Sequence, residues 1–192
     1  MASSETEICN SALIKLGGRR IVSLDDDSKE AKLCKEQYSK KRDDLLRAHP
    51  WNFAMKQTAL AELASTPIDG FKFTHQHQLP LDCLRVWKTD FEDQTIEEWE
   101  VQGRKLLSLR STLKIKYIAR VTDVTQFDNN FTEVLATYLA FDISYALIQS
   151  STLTQSLFGL YTTMLRDARS LDAQEGYVDT KVDAFDWINQ RS

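Results

Sequence analysis

Histidine and cysteine are both scarce in this chain of 192 residues, at three copies each. Cys9, Cys34 and Cys83 form an odd, widely spaced set with no CxxC pair, which excludes a zinc ribbon and a redox dithiol motif. Cys9 and Cys34 fall among apolar helical positions and read as buried thiols of a reduced compartment. His75 and His77 stand two apart on a strand-like run, half of a metal site with no third ligand at a telling distance. His49 has no nucleophile or acid close to it in sequence and reads as a helix-terminal residue. Without a clustered acid, base or nucleophile, an enzyme is the least favoured class, and neither cofactor nor metal is expected.

Long apolar runs are missing as well. Val134–Ile148 is the longest, but it carries Asp142 and falls short of the ~20 residues a membrane span needs. The first residues, Met1-Ala2-Ser3-Ser4-Glu5, are neither basic nor apolar, so no signal peptide is read there. A soluble protein made in the cytoplasm, with no membrane partner, is the expectation. Positive charge is not in excess either: 24 Lys and Arg face 28 Asp and Glu, for a net charge of -4 and a pI of about 5.4. A domain that grips a nucleic-acid backbone is usually basic. The balance leaves room for a protein past which DNA only travels.

What is present is a hard junction, Leu45-Leu46-Arg47-Ala48-His49-Pro50-Trp51-Asn52-Phe53. Proline disfavours helix at the residue before it, so a helix must stop at Ala48 or His49. Trp51, Phe53 and Met55 then alternate as on one face of a strand. Before the junction lie two helices. Ser4-Glu5-Thr6-Glu7 is a capping box opening the first, which buries Ile8, Ala12, Leu13 and Leu16 and stops at Gly17-Gly18. Asp25-Asp26-Asp27 lacks calcium-loop spacing, and Asp27-Ser28-Lys29-Glu30 reads as the cap of the second helix. That helix runs to Ala48 and buries Ala31, Cys34, Tyr38, Leu45 and Leu46. Its charged run Lys40-Lys41-Arg42-Asp43-Asp44 reads as a solvated face or subunit rim rather than a phosphate site.

Strand-like runs follow at Trp51–Leu60, Phe71–Gln78, Leu84–Thr89, Ile96–Val101, Lys105–Leu109 and Leu113–Ala119, with a hairpin turn at Gln102-Gly103-Arg104. Helical spacing returns after Phe127. Phe131–Gln149 is apolar nearly all round, with Glu133, Thr137 and Ser144 as a narrow polar stripe, and belongs at the centre of a bundle or between subunits. Asp142 falls on its apolar side, so a buried carboxylate is expected, paired with a cation or with several hydrogen-bond donors, Arg166 and Arg169 of the last helix being the first candidates. The last helix repeats Leu153, Leu157, Tyr161, Met164, Ala168 and Leu171, and fades at Gly176.

The expected fold is α+β. Four main helices, two N-terminal and two C-terminal, form a bundle from 1–50 and 122–176 around an antiparallel β insert at 51–121. Ile8, Tyr38, Leu135, Tyr138 and Met164 should share its core. An extended tail, 177–192, has no regular stripe yet carries Val182, Phe185, Trp187 and Ile188, which read as anchors for docking on a partner or a neighbouring copy.

The runs Cys9-Asn10-Ser11-Ala12-Leu13-Ile14-Lys15-Leu16-Gly17, Ile21-Val22-Ser23-Leu24-Asp25-Asp26, Leu45–Ala54, Leu79-Pro80-Leu81-Asp82-Cys83-Leu84-Arg85-Val86 and Leu171-Asp172-Ala173-Gln174-Glu175-Gly176 appear in this order along nearly the whole chain. Together they resemble the head-to-tail adaptors of tailed phages, the tail tubular protein A family. The resemblance implies a non-catalytic virion protein of the tail or neck. It forms a twelvefold homo-oligomeric ring between the portal protein and the tail nozzle protein and lines the DNA exit channel. The residues alone also suit a cellular oligomeric scaffold with a helical bundle and a β lobe.

Overall fold

The computed structural model describes residues 4–65, 67, 72–90 and 98–175. Four helices, α1 (Glu5–Lys15), α2 (Lys29–Ala48), α3 (Asn129–Ile148) and α4 (Ser151–Glu175), flank six strands in chain order. The strands are β1 (Met55–Leu60), β2 (His75–Gln78), β3 (Cys83–Thr89), β4 (Glu100–Gln102), β5 (Lys105–Ser108) and β6 (Leu113–Ala119). The fold is α+β, and the tail segment 177–192 lies outside the described residues.

Local chemistry sets the helix ends. Ser4 Oγ accepts the Glu7 amide, and Gly17 at φ +67 closes α1, with the Gly18 amide donating to Leu13 O at 2.8 Å and the Gly17 amide to Ile14 O at 3.0 Å. The cap of α2 is Ser28, whose Oγ accepts the Ala31 amide, one residue later than the box read from Asp27. Asp26 instead ties the preceding loop to the Val22 and Ser23 amides, while Asp25 and Asp27 pair with Lys35 and Lys32. Asn10, buried on α1, holds the same loop with a two-way bond to the Ile21 backbone, at 2.8 and 2.9 Å. Gln149, left-handed at φ 56, turns α3 into α4.

The strands form two three-stranded antiparallel sheets, ordered β1-β6-β3 and β2-β5-β4. One core joins the helices to the first sheet through Ala54 and Ile118, and contains Ile8, Tyr38 and Leu135, with Met164 packed against it. Tyr138 stands at the side of that core, stacked on Tyr161 with ring centroids 4.6 Å apart. A second, smaller core lies in the β lobe, built from Leu60, Leu106, Leu113, Ile115 and Tyr117. The lobe is tied to α2 by an Arg120–Asp43 ion pair at 2.7 Å and by Arg47 donating to Leu84 O.

Three sequence expectations are corrected here. Trp51 does not start a strand: Asn52–Ala54 make one 3-10 turn, because the Trp51 ring is pulled into the bundle, where Nε1 donates to Leu45 O at 3.0 Å. Thr137 and Ser144 are buried, since each hydroxyl satisfies itself on α3's own backbone, at Glu133 O (2.8 Å) and Phe141 O (2.7 Å). Lys41 and Arg42 are not on a solvated face. Arg42 is buried against Asp43, and Lys41 turns toward α3.

α3 is long and apolar enough to cross a membrane by length and composition, and 56% of its most apolar window is buried inside the protein. Its inward residues Phe131, Leu135, Leu139 and Ile143 belong to the bundle core.

Candidate functional site

The junction after α2 is closed by the far end of α4. Asp172, 6% exposed, accepts from the Asn52 amide through Oδ1 and meets His49 Nε2 through Oδ2, both at 3.0 Å. The Asn52 side chain returns a bond to Asp172 O at 2.6 Å. The sequence runs 45–54 and 171–175 thus interlock. Sequence reasoning missed the acidic partner of His49 because 123 residues separate the two.

Burial pulls the His49 imidazole below its usual 6.5, outweighing its hydrogen bond to Asp172, and Arg169 and Arg85 push the same way as burial. A depressed imidazole means that the unfolded chain binds more protons than the folded one just below neutrality. The stabilisation is then complete above pH 6.5 and is lost as pH falls through the folded value. Melting temperature should decline across that window in the native chain, and His49→Gln should flatten the decline.

Asp142 sits about a quarter exposed, and its partner is Lys41 of α2 at 2.6 Å, not Arg166 or Arg169. Arg166 pairs with its neighbour Asp167, and Arg169 reaches Ala48 O. The ammonium of Lys41 also lies 4.8 Å from the Tyr138 ring centroid. With solvent reaching both charges, Asp142→Ala should cost about 1 kcal/mol in urea unfolding, well below the ~3 kcal/mol of a fully buried pair.

The two strand histidines do not act together. His75 Nδ1 meets Glu62 at 2.6 Å, while His77 is wholly buried, with Nε2 at 2.9 Å from Arg110 O and 3.2 Å from Ser108 Oγ. Among the described residues no group of three or more His, Cys, Asp or Glu is arranged to hold a metal. Cys9 and Cys34 are free and buried in the bundle, and the hydrogen bond between them together with burial pushes the Cys9 thiol well above its usual range.

The most distinctive surface runs along the end of α3 and the first half of α4. No charged residue occurs from 143 to 165, in a chain where 27% of residues are charged. This stretch is nonetheless open to solvent: Tyr145, Ile148, Phe158 and Leu160 are 63, 42, 51 and 45% exposed. α4 packs along α3, and Gly159 has open space around it. Protein interfaces are depleted in charge at their centres and enriched in aromatic side chains. The missing charge was visible in the sequence, but its meaning was not, because a buried helix is uncharged too. The anchors expected in the tail, Val182, Phe185, Trp187 and Ile188, lie outside the described residues.

Compared with protein-family models and with curated proteins, the chain matches neither, so the functional reading rests on these surfaces and on the ordered sequence runs.

Proposed function

We propose that this chain is the subunit of a ring-forming head-to-tail adaptor in a tailed phage, seated between portal and tail nozzle. The observation that carries the reading is the exposed, uncharged face of residues 143–165, which suits a lasting contact with another copy better than water. The five ordered runs support it, and so does the net charge of -4, since a wall of like sign lets DNA slide without adhering. The role needs no catalysis and no cofactor. Val182, Phe185, Trp187 and Ile188 serve as docking anchors on the portal or a neighbouring subunit.

The isolated subunit is monomeric or weakly associated, and twelve copies close into a ring on the portal. Electron microscopy of the full chain mixed with a portal protein tests this. Rings stacked on portals are expected. Leu160→Glu should abolish them while leaving the fold intact, and deletion of Tyr177–Ser192 should weaken head-to-tail joining. Portal mixtures without rings would count against the reading, and a stable dodecamer in light scattering of the chain alone would overturn only the assembly order.

A further inference from the structure

Where the end of α2 meets β3 and the β4–β5 hairpin, a cleft of about 460 Å³ opens. Arg47, Arg85 and Arg104 line it over an apolar floor that includes Leu79, Val86 and Trp99. Arg169 of α4 is close enough to Arg85 to act on its charge. None of these four guanidinium groups pairs with a carboxylate among the described residues. Arg47 donates to Leu84 O, Arg104 to Pro80 O and Arg169 to Ala48 O, while Arg85 lies 5.1 Å from the Trp87 ring centroid. Arg169 Nε is buried with no hydrogen-bond partner. Four guanidinium groups gathered with no ion pair to a carboxylate among the described residues, in a chain of net negative charge, are an incomplete electrostatic arrangement. An anion with apolar substance would complete it.

The chain carries such a ligand. Asp183-Ala184-Phe185-Asp186-Trp187-Ile188 offers two carboxylates and three large apolar side chains, with no cation among them. α4 ends at Glu175, six residues and about 9 Å of helix beyond Arg169. Phe185 is ten residues further, within a reach of roughly 35 Å for extended chain. We propose that this tail segment is the occupant of the arginine cleft. Asp183 and Asp186 pair with the guanidinium rim, and Phe185 and Trp187 cover the apolar floor. Arginine suits both parts, because its planar fork grips carboxylates and its face stacks on aromatic rings. The inference names an acceptor for the docking tail of the proposed function, and it stands whether or not the chain forms rings.

Cys83 supplies a native probe, since it lines the cleft while Cys9 and Cys34 are fully buried. Ala184→Cys in the full chain, incubated with oxidised glutathione, should form a disulfide to Cys83 that peptide mass mapping identifies. The two thiols are oxidised and the glutathione disulfide is reduced to two thiols, so electrons and protons balance. Adding Cys83→Ser should remove the link. Adding Arg85→Glu with Arg104→Glu should lower its yield about tenfold, in a variant checked for native circular dichroism. High salt applied to the unmodified arginines gives the same test without any folding risk. A link within one chain or between two copies places the segment in the cleft. The within-chain form would remove this contact from the ring reading and leave the present one standing. No bond to Cys83, or a yield indifferent to the arginines and to salt, overturns the proposal.

Discussion

Trp51→Ala is expected to destabilise the protein by about 4 kcal/mol, the cost of emptying a large aromatic site in a packed core. Trp51 has no exposed surface. Its ring meets Phe131 edge-on at 5.2 Å and His49 at 4.8 Å, and Phe53 and Phe127 complete the cluster around Phe131. Because the cluster joins the α2 end, the start of β1 and α3, the cavity cannot be filled by a shift of one element. Trp51→Phe separates the contributions. It keeps an aromatic ring but loses the Nε1 bond and leaves Leu45 O without that donor, which should add about 1–2 kcal/mol to a smaller packing loss. Urea midpoints, with the denaturant slope unchanged, provide the measurement. A loss below about 2 kcal/mol for Trp51→Ala would mean that the junction is not the centre of the fold.

Asp172→Ala is the second large effect, at about 3 kcal/mol. The carboxylate is buried and supplies acceptors to the Asn52 amide and to His49, so its removal strands donors that water reaches poorly. Asp172→Asn should recover part of the loss, because its amide oxygen still serves one donor. The stranded amide gives a local readout as well. Hydrogen exchange at Asn52 should speed up in Asp172→Ala by more than global destabilisation accounts for, because the α4 end loses its hold on the junction. A variant with native stability and native exchange at Asn52 would show that the bond is incidental.

The elements legible from sequence were those whose cause is local. The glycine pair closing α1, the Gly103 turn and the alternation that gives β6 its span over Leu113–Ala119 each depend on a few neighbouring residues. The illegible ones depend on distant partners. Trp51 and Phe53 alternate like strand residues, yet Trp51 packs on Phe131 of α3 and Asn52–Ala54 follow it as a 3-10 turn. Asp172 reads as one more polar residue on a fading helix until His49 and Asn52 arrive from the other end of the chain. The charge of Lys41 looked solvated because its partner, Asp142, sits on another helix, whereas Arg42 pairs with its neighbour Asp43 at 2.9 Å and lies 3.8 Å from Glu5 of α1. The arginine cleft shares this character. Its members come from α2, β3, the β4–β5 hairpin and α4, and no short window of sequence contains even two that look related.

The sheet order β1-β6-β3 has a bearing on how such a molecule diversifies. β1 and β6 are the first and last strands of the insert, and they lie side by side, with Met55 opposite Ile118. The chain therefore leaves the bundle and re-enters it at nearly one point, since paired strands are only about 5 Å apart. Beyond that doorway the β2-β5-β4 sheet is able to lengthen, shorten or be exchanged, whereas β3 is held to the bundle through Leu84. The root cannot vary so freely, because Ile118 and Ala54 are bundle core. Lineages of this fold should accordingly differ most at the outer sheet and least at the strands beneath it, and exchanging the β4–β5 hairpin, 100–108, is the most promising route to a new surface on an unaltered frame.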